Sequence, residues 1–402
     1  MPQQSIHVRR GREEDIPVVA RVFAQAFGGD SYDPEGTAAR IRRRVELGVS
    51  PENSFIAEKD GKIVGTATGI PFETWVGGVK LRLMGIAGVA TGWEARRQGV
   101  ARALMLALLD RAKEEGFHLM GLYPFRPSFY QAFGFGSVEM ECHYTIPTTF
   151  LPESKSDARE LFDEHLPLVQ NLYDQAAMHG SFCNLRRSKV WEERWNGWRD
   201  CMRIGIWDGS ELTAYAVMKP SGWKLQCREI VWNSTAGFRG LLGFLRSLSD
   251  QYTQIDLRLP ADVALMPALK ETQFWGPNSD RYCYVTTEGM AKLVDLPGVF
   301  QARSYPKHLS FAVRMVVADP VDGGELAFDL ELSNGSACVS KPGAASLPEV
   351  RFTTMSLAQW FLGTYSASAL QRVGALETNC ADLLPHLDEA AAGPMPYNRE
   401  RY

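Results

Sequence analysis

Long apolar runs are missing from this chain. The most tempting uninterrupted one, Ala103–Leu109, has seven residues, well short of the ~18 a helix needs to cross a bilayer. A membrane partner is therefore not expected. Charge of one sign is missing as well. The 43 Lys and Arg against 47 Asp and Glu leave a net charge of −4, which excludes nucleic acid as the main partner. Cysteine is sparse and unpatterned: Cys142, Cys183, Cys201, Cys227, Cys283, Cys338 and Cys380 are scattered, odd in number and never in a Cys-x-x-Cys pair. This points to reduced thiols in a cytoplasmic protein. The histidines form no His-x-x-x-His pair or His/Cys cluster, so no metal is expected. The opening MPQQSIHVRRGREED has no apolar stretch after its basic residues, so a secretory signal is not expected.

What is present is an ordinary globular composition, 45% hydrophobic over 402 residues, which is enough for two or three domains. Ile6 and Val8 alternate with polar neighbours and read as a strand. Glu13, Glu14 and Asp15 then open a helix whose apolar face is Ile16, Val19, Ala20, Phe23, Ala26 and Phe27. A second helix is expected over Pro34–Gly48. From Ser54 the period becomes two, with hairpin turns at Asp60-Gly61 and Gly77-Gly78, so residues 54–91 read as an antiparallel meander. A helix over Gly99–Glu115 and a strand over His118–Tyr123 follow. The order is that of an α+β, mixed α/β layer.

Thr145–Asp157, with Pro147, Pro152 and a polar run, reads as a linker. A second unit is expected to open with helices over Ala158–His179 and Val190–Trp198. It continues through a hairpin at Asp208-Gly209, a strand at Cys227–Trp232, a helix from Gly237 to Gln251 and a strand at Gln254–Leu259. This order echoes the first unit and suggests a diverged repeat. The spacing of Trp191, Trp195 and Trp198 is that of one helix face, which points to packing rather than a stacking surface. A third unit runs from about Met290 to Tyr402, with strands at Leu309–Val317 and Glu325–Leu332, a helix at Leu357–Gly363 and a Pro-rich end.

One segment carries chemistry. Residues 86–102 take a strand through a basic, glycine-containing turn into a helix, which offers free N–H groups and a positive helix end to an anion. Gly99 lets the backbone approach closely, Ala101 keeps the first turn thin, and Arg96, Arg97 and Arg102 add charge. The same residues also suit a plain strand–turn–helix with solvated arginines. There is no Walker loop and no dinucleotide fingerprint.

Arg96-x-x-Gly99-x-Ala101, after the strand Met84–Thr91 and at the head of a long helix, resembles the acetyl-CoA motif of the GCN5-related N-acetyltransferases (GNAT). Arg9-x-x-x-Glu13-x-Asp15 before the first helix is similar to the opening of that superfamily. A narrower likeness lies in Leu122–Gly136, LYPFRPSFYQAFGFG, which resembles the block after the fifth strand in the enhanced intracellular survival (Eis) acetyltransferases. That resemblance implies two tandem GNAT-like domains, the second degenerate, and a C-terminal sterol-carrier-like α/β domain. Here they would fall at residues 1–150, 151–288 and 289–402. Ser234–Leu242 contains Gly237 and Gly240 but lacks the Arg-x-x-Gly-x-Gly/Ala cradle, as a degenerate copy should. Leu296-Pro297-Gly298 and Gly374-Ala375-Leu376 carry the sterol-carrier likeness.

The resemblance implies direct acetyl transfer from acetyl-CoA to a primary amine of an aminoglycoside, polyamine or lysine-type acceptor. It implies Tyr130 as general acid and the terminal carboxylate of Tyr402 as general base. Cofactor contacts carry over to Val89, Ala90 and Thr91 for pantetheine, to Arg96, Arg97, Gln98, Gly99, Val100, Ala101 and Arg102 for pyrophosphate, and to Phe125 and Arg126 near the sulfur. Asp30, Phe27 and Glu400 would line the amine pocket, with Arg399 and Arg401 beside Glu400 offsetting its charge. A homohexamer is the implied assembly. Read without the family, Tyr130 also suits a packed tyrosine bonded to backbone, and a free terminal carboxylate near pKa 3.5 is a weak base unless burial raises it. A narrower peptide or protein lysine acetyltransferase and a non-enzymatic acyl-CoA or lipid carrier remain the alternative readings.

Overall fold

The computed structural model describes residues 6–28, 31–272, 282–344 and 346–402. The first stretch builds β1 (His7–Arg10), α1 (Ile16–Phe27), α2 (Pro34–Glu46), β2 (Ser54–Lys59), β3 (Lys62–Val76), β4 (Val79–Thr91), α3 (Val100–Glu114), β5 (Leu119–Leu122), α4 (Pro127–Gln131) and β6 (Gly136–Ser137). The hairpins form where the turn residues ask for them. Asp60 and Gly61 take φ of 53° and 74°, and Gly77 and Gly78 take 56° and 79°, the left-handed pair that a two-residue turn between right-twisted strands requires. On α1 the buried face is Ile16, Val19, Ala20, Val22 and Ala24. Phe27, expected on that face, is half exposed and rests on the Phe23 ring at 4.6 Å. The buried Asp15 is held by two Arg9 bonds of 2.7 and 2.8 Å, which ties the first strand to the entry of α1.

The middle stretch holds β7 (Met140–Pro147), β8 (Asp157–Glu160), α5 (Leu166–Met178), β9 (Cys183–Asn184), α6 (Ser188–Gly197), β10 (Met202–Asp208), β11 (Glu211–Ser221), β12 (Lys224–Trp232), α7 (Thr235–Ser247), β13 (Gln254–Pro260) and β14 (Cys283–Thr287). Two expectations need correction here. Residues 158–179 are not one helix: Asp157–Glu160 pairs with β10 as an edge strand, and the helix starts at Leu166. An edge strand keeps a wet face, so its polar side chains hide it from an apolar period. Thr145–Pro147, expected in a linker, is instead the end of β7. Trp191, Trp195 and Trp198 are buried in one cluster with Leu172, Tyr173 and Tyr215, as their spacing predicts.

The last stretch gives β15 (Met290–Leu293), α8 (Leu296–Ala302), β16 (Phe311–Asp319), β17 (Gly324–Ser333), β18 (Ser336–Ser340), β19 (Glu349–Thr353), α9 (Thr354–Phe361), α10 (Ala367–Arg372), β20 (Leu376–Thr378) and α11 (Leu384–Ala391).

The first sheet runs β1-β2-β3-β4-β5-β15-β6 and the second β8-β10-β11-β12-β13-β7-β14. Laid side by side, the two have the same directions throughout. All neighbours are antiparallel except one central parallel pair, β4/β5 in the first and β12/β13 in the second. Each sheet takes its sixth strand from beyond the other: β15 pairs with β5, and β7 pairs with β13. This exchange interlocks the two copies. The third sheet, β18-β17-β16-β19-β20, shares one apolar cluster with Val76, Leu81, Leu83 and Leu119 of the first. That contact brings the end of the chain to the first sheet. The fold is thus mixed α/β with three mixed sheets.

Candidate active site

The site begins where the parallel pair in the first sheet comes apart. β4 and β5 pair only from Leu83–Leu119 to Ile86–Leu122. β5 ends there, while β4 continues to Thr91 against β3. A bulge lies in the extension, with the β3 register shifting between Thr66 and Thr68 and Gly88 at φ 61°. Among the described residues, no strand pairs with the open edge of Ala87–Thr91. The sheet therefore splits into a V, one wall of which is the edge of Val89–Thr91 that faces away from β3. An extended amide chain could pair with that edge as a strand would. Phe23 fills the far side of the bulge, since a Cβ on Gly88 would come within 2.6 Å of its ring, and Phe27 stacks behind it.

At the end of β4 the chain turns on Arg97 (φ 62°) and Gly99 (φ 86°) into α3. No side chain caps α3, so its first N–H groups are left for a ligand. A Cβ on Gly99 would meet only the tip of Ile6 at 3.9 Å. There the requirement for glycine is the left-handed backbone, not crowding. Arg96, Arg97 and Arg102 are exposed around this end, as is Gln98. Lys59 donates to Gln98 Oε1 at 2.6 Å, and Gln98 Nε2 donates to the Glu94 carbonyl at 2.8 Å. An uncapped helix N-terminus ringed by guanidinium groups suits a pyrophosphate. The equivalent helix of the second sheet, α7, is closed: Ser234 accepts the Gly237 N–H at 3.0 Å, and a Cβ on Gly237 would strike the Thr213 carbonyl at 2.7 Å.

α4 places Tyr130 past the end of β5. Its ring is buried among Phe125 (5.7 Å), Phe129 (5.0 Å) and Phe135 (6.4 Å). Burial pushes the phenol up to about 12, so it holds its proton through neutral pH. Phe133 continues the cluster from Phe129 to Arg102, whose guanidinium lies 5.7 Å over its ring. One aromatic group thus joins the helix end to Tyr130. Phe125 is two-thirds exposed, and Arg126 beside it is exposed.

The last residues form a strap between the two copies. Tyr397 N–H donates to the Ser181 carbonyl at 3.0 Å, and Asn398 N–H to Glu139 at 3.0 Å. The Asn398 side chain closes a local ring, accepting from Glu400 N–H at 3.0 Å and donating to the Glu400 carbonyl at 2.8 Å. Buried Arg186 binds Glu400 at 2.7 Å, Glu229 on both oxygens, and the Arg399 carbonyl at 3.1 Å. Arg194 reaches Glu400 at 2.9 Å. Arg401 pairs with Glu141 and Glu288. The Tyr402 ring then stacks on Phe72 at 4.9 Å and meets Tyr123 edge-on at 5.6 Å. Burial holds its phenol well above the usual range. Burial also pushes the Glu139 carboxyl, under the strap, up to about 8.

One sequence expectation reads differently in this setting, and one cannot be placed. Glu400, expected to add negative charge for an amine, is neutralised by Arg186 and Arg194. Asp30 lies outside the described residues. The seats of the strap, namely Arg186, Asn398, Glu139 and the bare backbone of Gly85 and Gly121, were not singled out in the sequence. Glycines inside strands do signal a close approach, and both lie in β4 and β5.

Comparisons with known proteins agree with this geometry. Residues 7–138 match the profile of an acetyltransferase (GNAT) domain, and residues 296–399 match that of a sterol carrier protein domain. The N-acetyltransferases Eis of Mycobacterium bovis and of Mycobacterium tuberculosis are each 24% identical over 427 aligned positions, covering 96% of either chain. The chain belongs to the Eis family of GNAT N-acetyltransferases. Two solved structures share its fold. A GCN5-related N-acetyltransferase from Anabaena variabilis superposes with a TM-score of 0.83 at 19% identity, over 99% of this chain and 100% of that one. Eis1 from Mycobacterium abscessus superposes with a TM-score of 0.78 at 17% identity, over 98% and 100%. As an Eis-family N-acetyltransferase, the chain has one GNAT copy with an open helix end and one whose own serine closes it. Among the described residues, no helix is long and apolar enough to cross a membrane.

Proposed function

We propose that this chain transfers the acetyl group of acetyl-CoA directly to a primary amine of a small molecule. The observation that carries this reading is the split between β4 and β5, with an uncapped, arginine-ringed helix at one end and Tyr130 at the other. Val89, Ala90 and Thr91 would pair with the pantetheine amides through their backbone. Arg96, Arg97, Gln98, Gly99, Val100, Ala101 and Arg102 would hold the pyrophosphate, and Phe125 and Arg126 would cover the thioester.

An acceptor amine is an ammonium at neutral pH, with a Lys-like pKa near 10.4, and must lose a proton before it attacks. The terminal carboxylate of Tyr402 takes that proton. The amine nitrogen bonds to the acetyl carbon, the carbon–sulfur bond breaks, and Tyr130 gives its proton to the departing thiolate. A phenol raised to about 12 is protonated and ready to donate throughout the neutral range. The strap of bonds from Ser181 to Arg401 supports this role for the chain end by fixing it beside β5.

The test is thiol release from acetyl-CoA with and without acceptors, including aminoglycoside, polyamine and lysine-type amines, with products identified by mass. Release should require an amine. Tyr130→Phe keeps the ring and should lower kcat by about 10²–10⁴-fold. Extension of the chain past Tyr402 should do the same. Unchanged turnover in both would refute the assigned acid and base. The division into units at 1–150, 151–288 and 289–402 is retained as a proposal for limited proteolysis, with β7 and β15 crossing its boundaries between the first two sheets. The hexamer is retained for light scattering, and the cytoplasmic placement, which the seven free cysteines support, for fractionation.

A further inference from the structure

Between α2 and the strap lies a cavity of about 400 Å³, of the size that takes a small molecule. Ile70 and Phe72 of β3 give it an apolar floor, and Tyr402 lines it. Its wall is cationic, because seven arginines face it against Glu193, Glu400 and the terminal carboxylate of Tyr402. Four of these arginines have carboxylate partners. Arg43 pairs with Glu46 and Glu193, Arg186 with Glu229 and Glu400, Arg194 with Glu400, and Arg401 with Glu141 and Glu288.

The other three are uncompensated among the described residues. Arg187 donates to the carbonyls of Gly48 and Pro71 at 3.2 and 2.6 Å. Arg40 donates to the Thr37 hydroxyl at 2.7 Å. Arg44 has no carboxylate within ion-pair distance. Carbonyls and hydroxyls orient a guanidinium without cancelling its charge. Arg40 and Arg44 also stand four apart on α2, a like-charge spacing that slightly destabilises a helix on its own and that a bound anion would relieve. All three are exposed, so they ring the mouth, while Tyr402 lies deeper in the cavity.

We infer that the acceptor is a small amine that also carries a carboxylate or phosphate, held by Arg40, Arg44 and Arg187 while its amine points to Tyr402. This inference rests on the reading that the amine reacts at the Tyr402 end of the cavity. Guanidinium groups fork onto both anions. A polycation would meet three unpaired positive charges at the mouth, and the net charge of the acceptor therefore decides which amines enter.

The experiment compares matched amines on the full chain with acetyl-CoA. O-phosphoethanolamine is set against ethanolamine, 4-aminobutyrate against 4-aminobutanamide, and spermidine serves as the cationic reference. Products are followed by mass and thiol release. The anionic member of each pair should have at least a tenfold higher kcat/KM, and the ratio should shrink as ionic strength rises. In Arg44→Gln and Arg40→Gln, both on an exposed helix face, the ratio should fall several-fold, and in Arg44→Glu it should fall at least tenfold. Circular dichroism checks that each variant is folded. If neutral amines or spermidine are acetylated as well as or better than the anionic ones, the inference is overturned and the acetyltransfer reading stands. If no amine releases thiol, both fall.

Discussion

Gly85 and Gly121 lie directly opposite each other on the parallel β4–β5 ladder, and together they seat the ring of Tyr402. A Cβ on Gly85 would come within 2.8 Å of that ring, and one on Gly121 within 2.7 Å of its hydroxyl and of Phe182. The last residue of the chain therefore rests on the pair of strands whose separation makes the cleft.

Gly121→Ala tests that seat. The added methyl has no room, so the terminal ring must move. A displacement of about 1 Å at a reacting group can cost about 10²-fold in rate. We expect kcat to fall by that order, with the global fold retained by circular dichroism and the C-terminus more readily removed by carboxypeptidase. Wild-type kcat with a protected C-terminus would contradict it.

Arg186→Ala should be the more damaging change. It removes the buried cation shared by Glu229, Glu400 and the Arg399 carbonyl, leaving carboxylates buried without it. Breaking such a pair from one side costs about 3–5 kcal/mol. Denaturant unfolding reads the loss, and Arg186→Met, which also lacks the charge, should not restore it.

Glu139 gives a pH signature. Its carboxyl ordinarily titrates near 4.5 and is raised to about 8, first by burial. Between those values the folded chain binds a proton that the unfolded chain releases, so stability falls as pH rises from about 5 to 8. Glu139→Gln keeps an acceptor for Asn398 N–H and should flatten this part of the Tm-against-pH curve. Parallel curves for the two proteins would rule the effect out.

Gly99→Val tests the open helix end. The residue sits at φ 86°, a region that is costly for a β-branched side chain, and its backbone lies where the anion would approach. The KM for acetyl-CoA should rise about tenfold or more with a smaller change in kcat. Gly237→Val, at the third residue of the matching helix α7, should affect stability, through the Thr213 carbonyl, and leave the KM for acetyl-CoA alone.

Much of the first copy was legible along the chain because its signals are local. The turn residues Asp60-Gly61 and Gly77-Gly78, the apolar period of α1 and the strand–turn–helix around Gly99 each act over a few residues. β8 was not legible, since Asp-Ala-Arg-Glu at a wet edge has no apolar alternation to show. The exchange of β7 and β15 was hidden for a different reason. Both strands have ordinary patterns, and which sheet each joins depends on partners more than a hundred residues away, Gln254–Pro260 for β7 and Leu119–Leu122 for β15.

The sequence by itself determined most elements of the first copy, the repeat, the cradle at Arg96–Arg102 and the placement of a tyrosine after the fifth strand, because hydrophobic period, turn chemistry and helix-end electrostatics are short-range. Only the tertiary structure decided where the chain ends and what charge surrounds it. Glu400 reads in the sequence as an acid whose charge its neighbours Arg399 and Arg401 offset. Folding places Arg186 and Arg194 on it and leaves Arg40, Arg44 and Arg187 without an acid of their own, because ion pairing depends on distances across the fold rather than on neighbours in the chain.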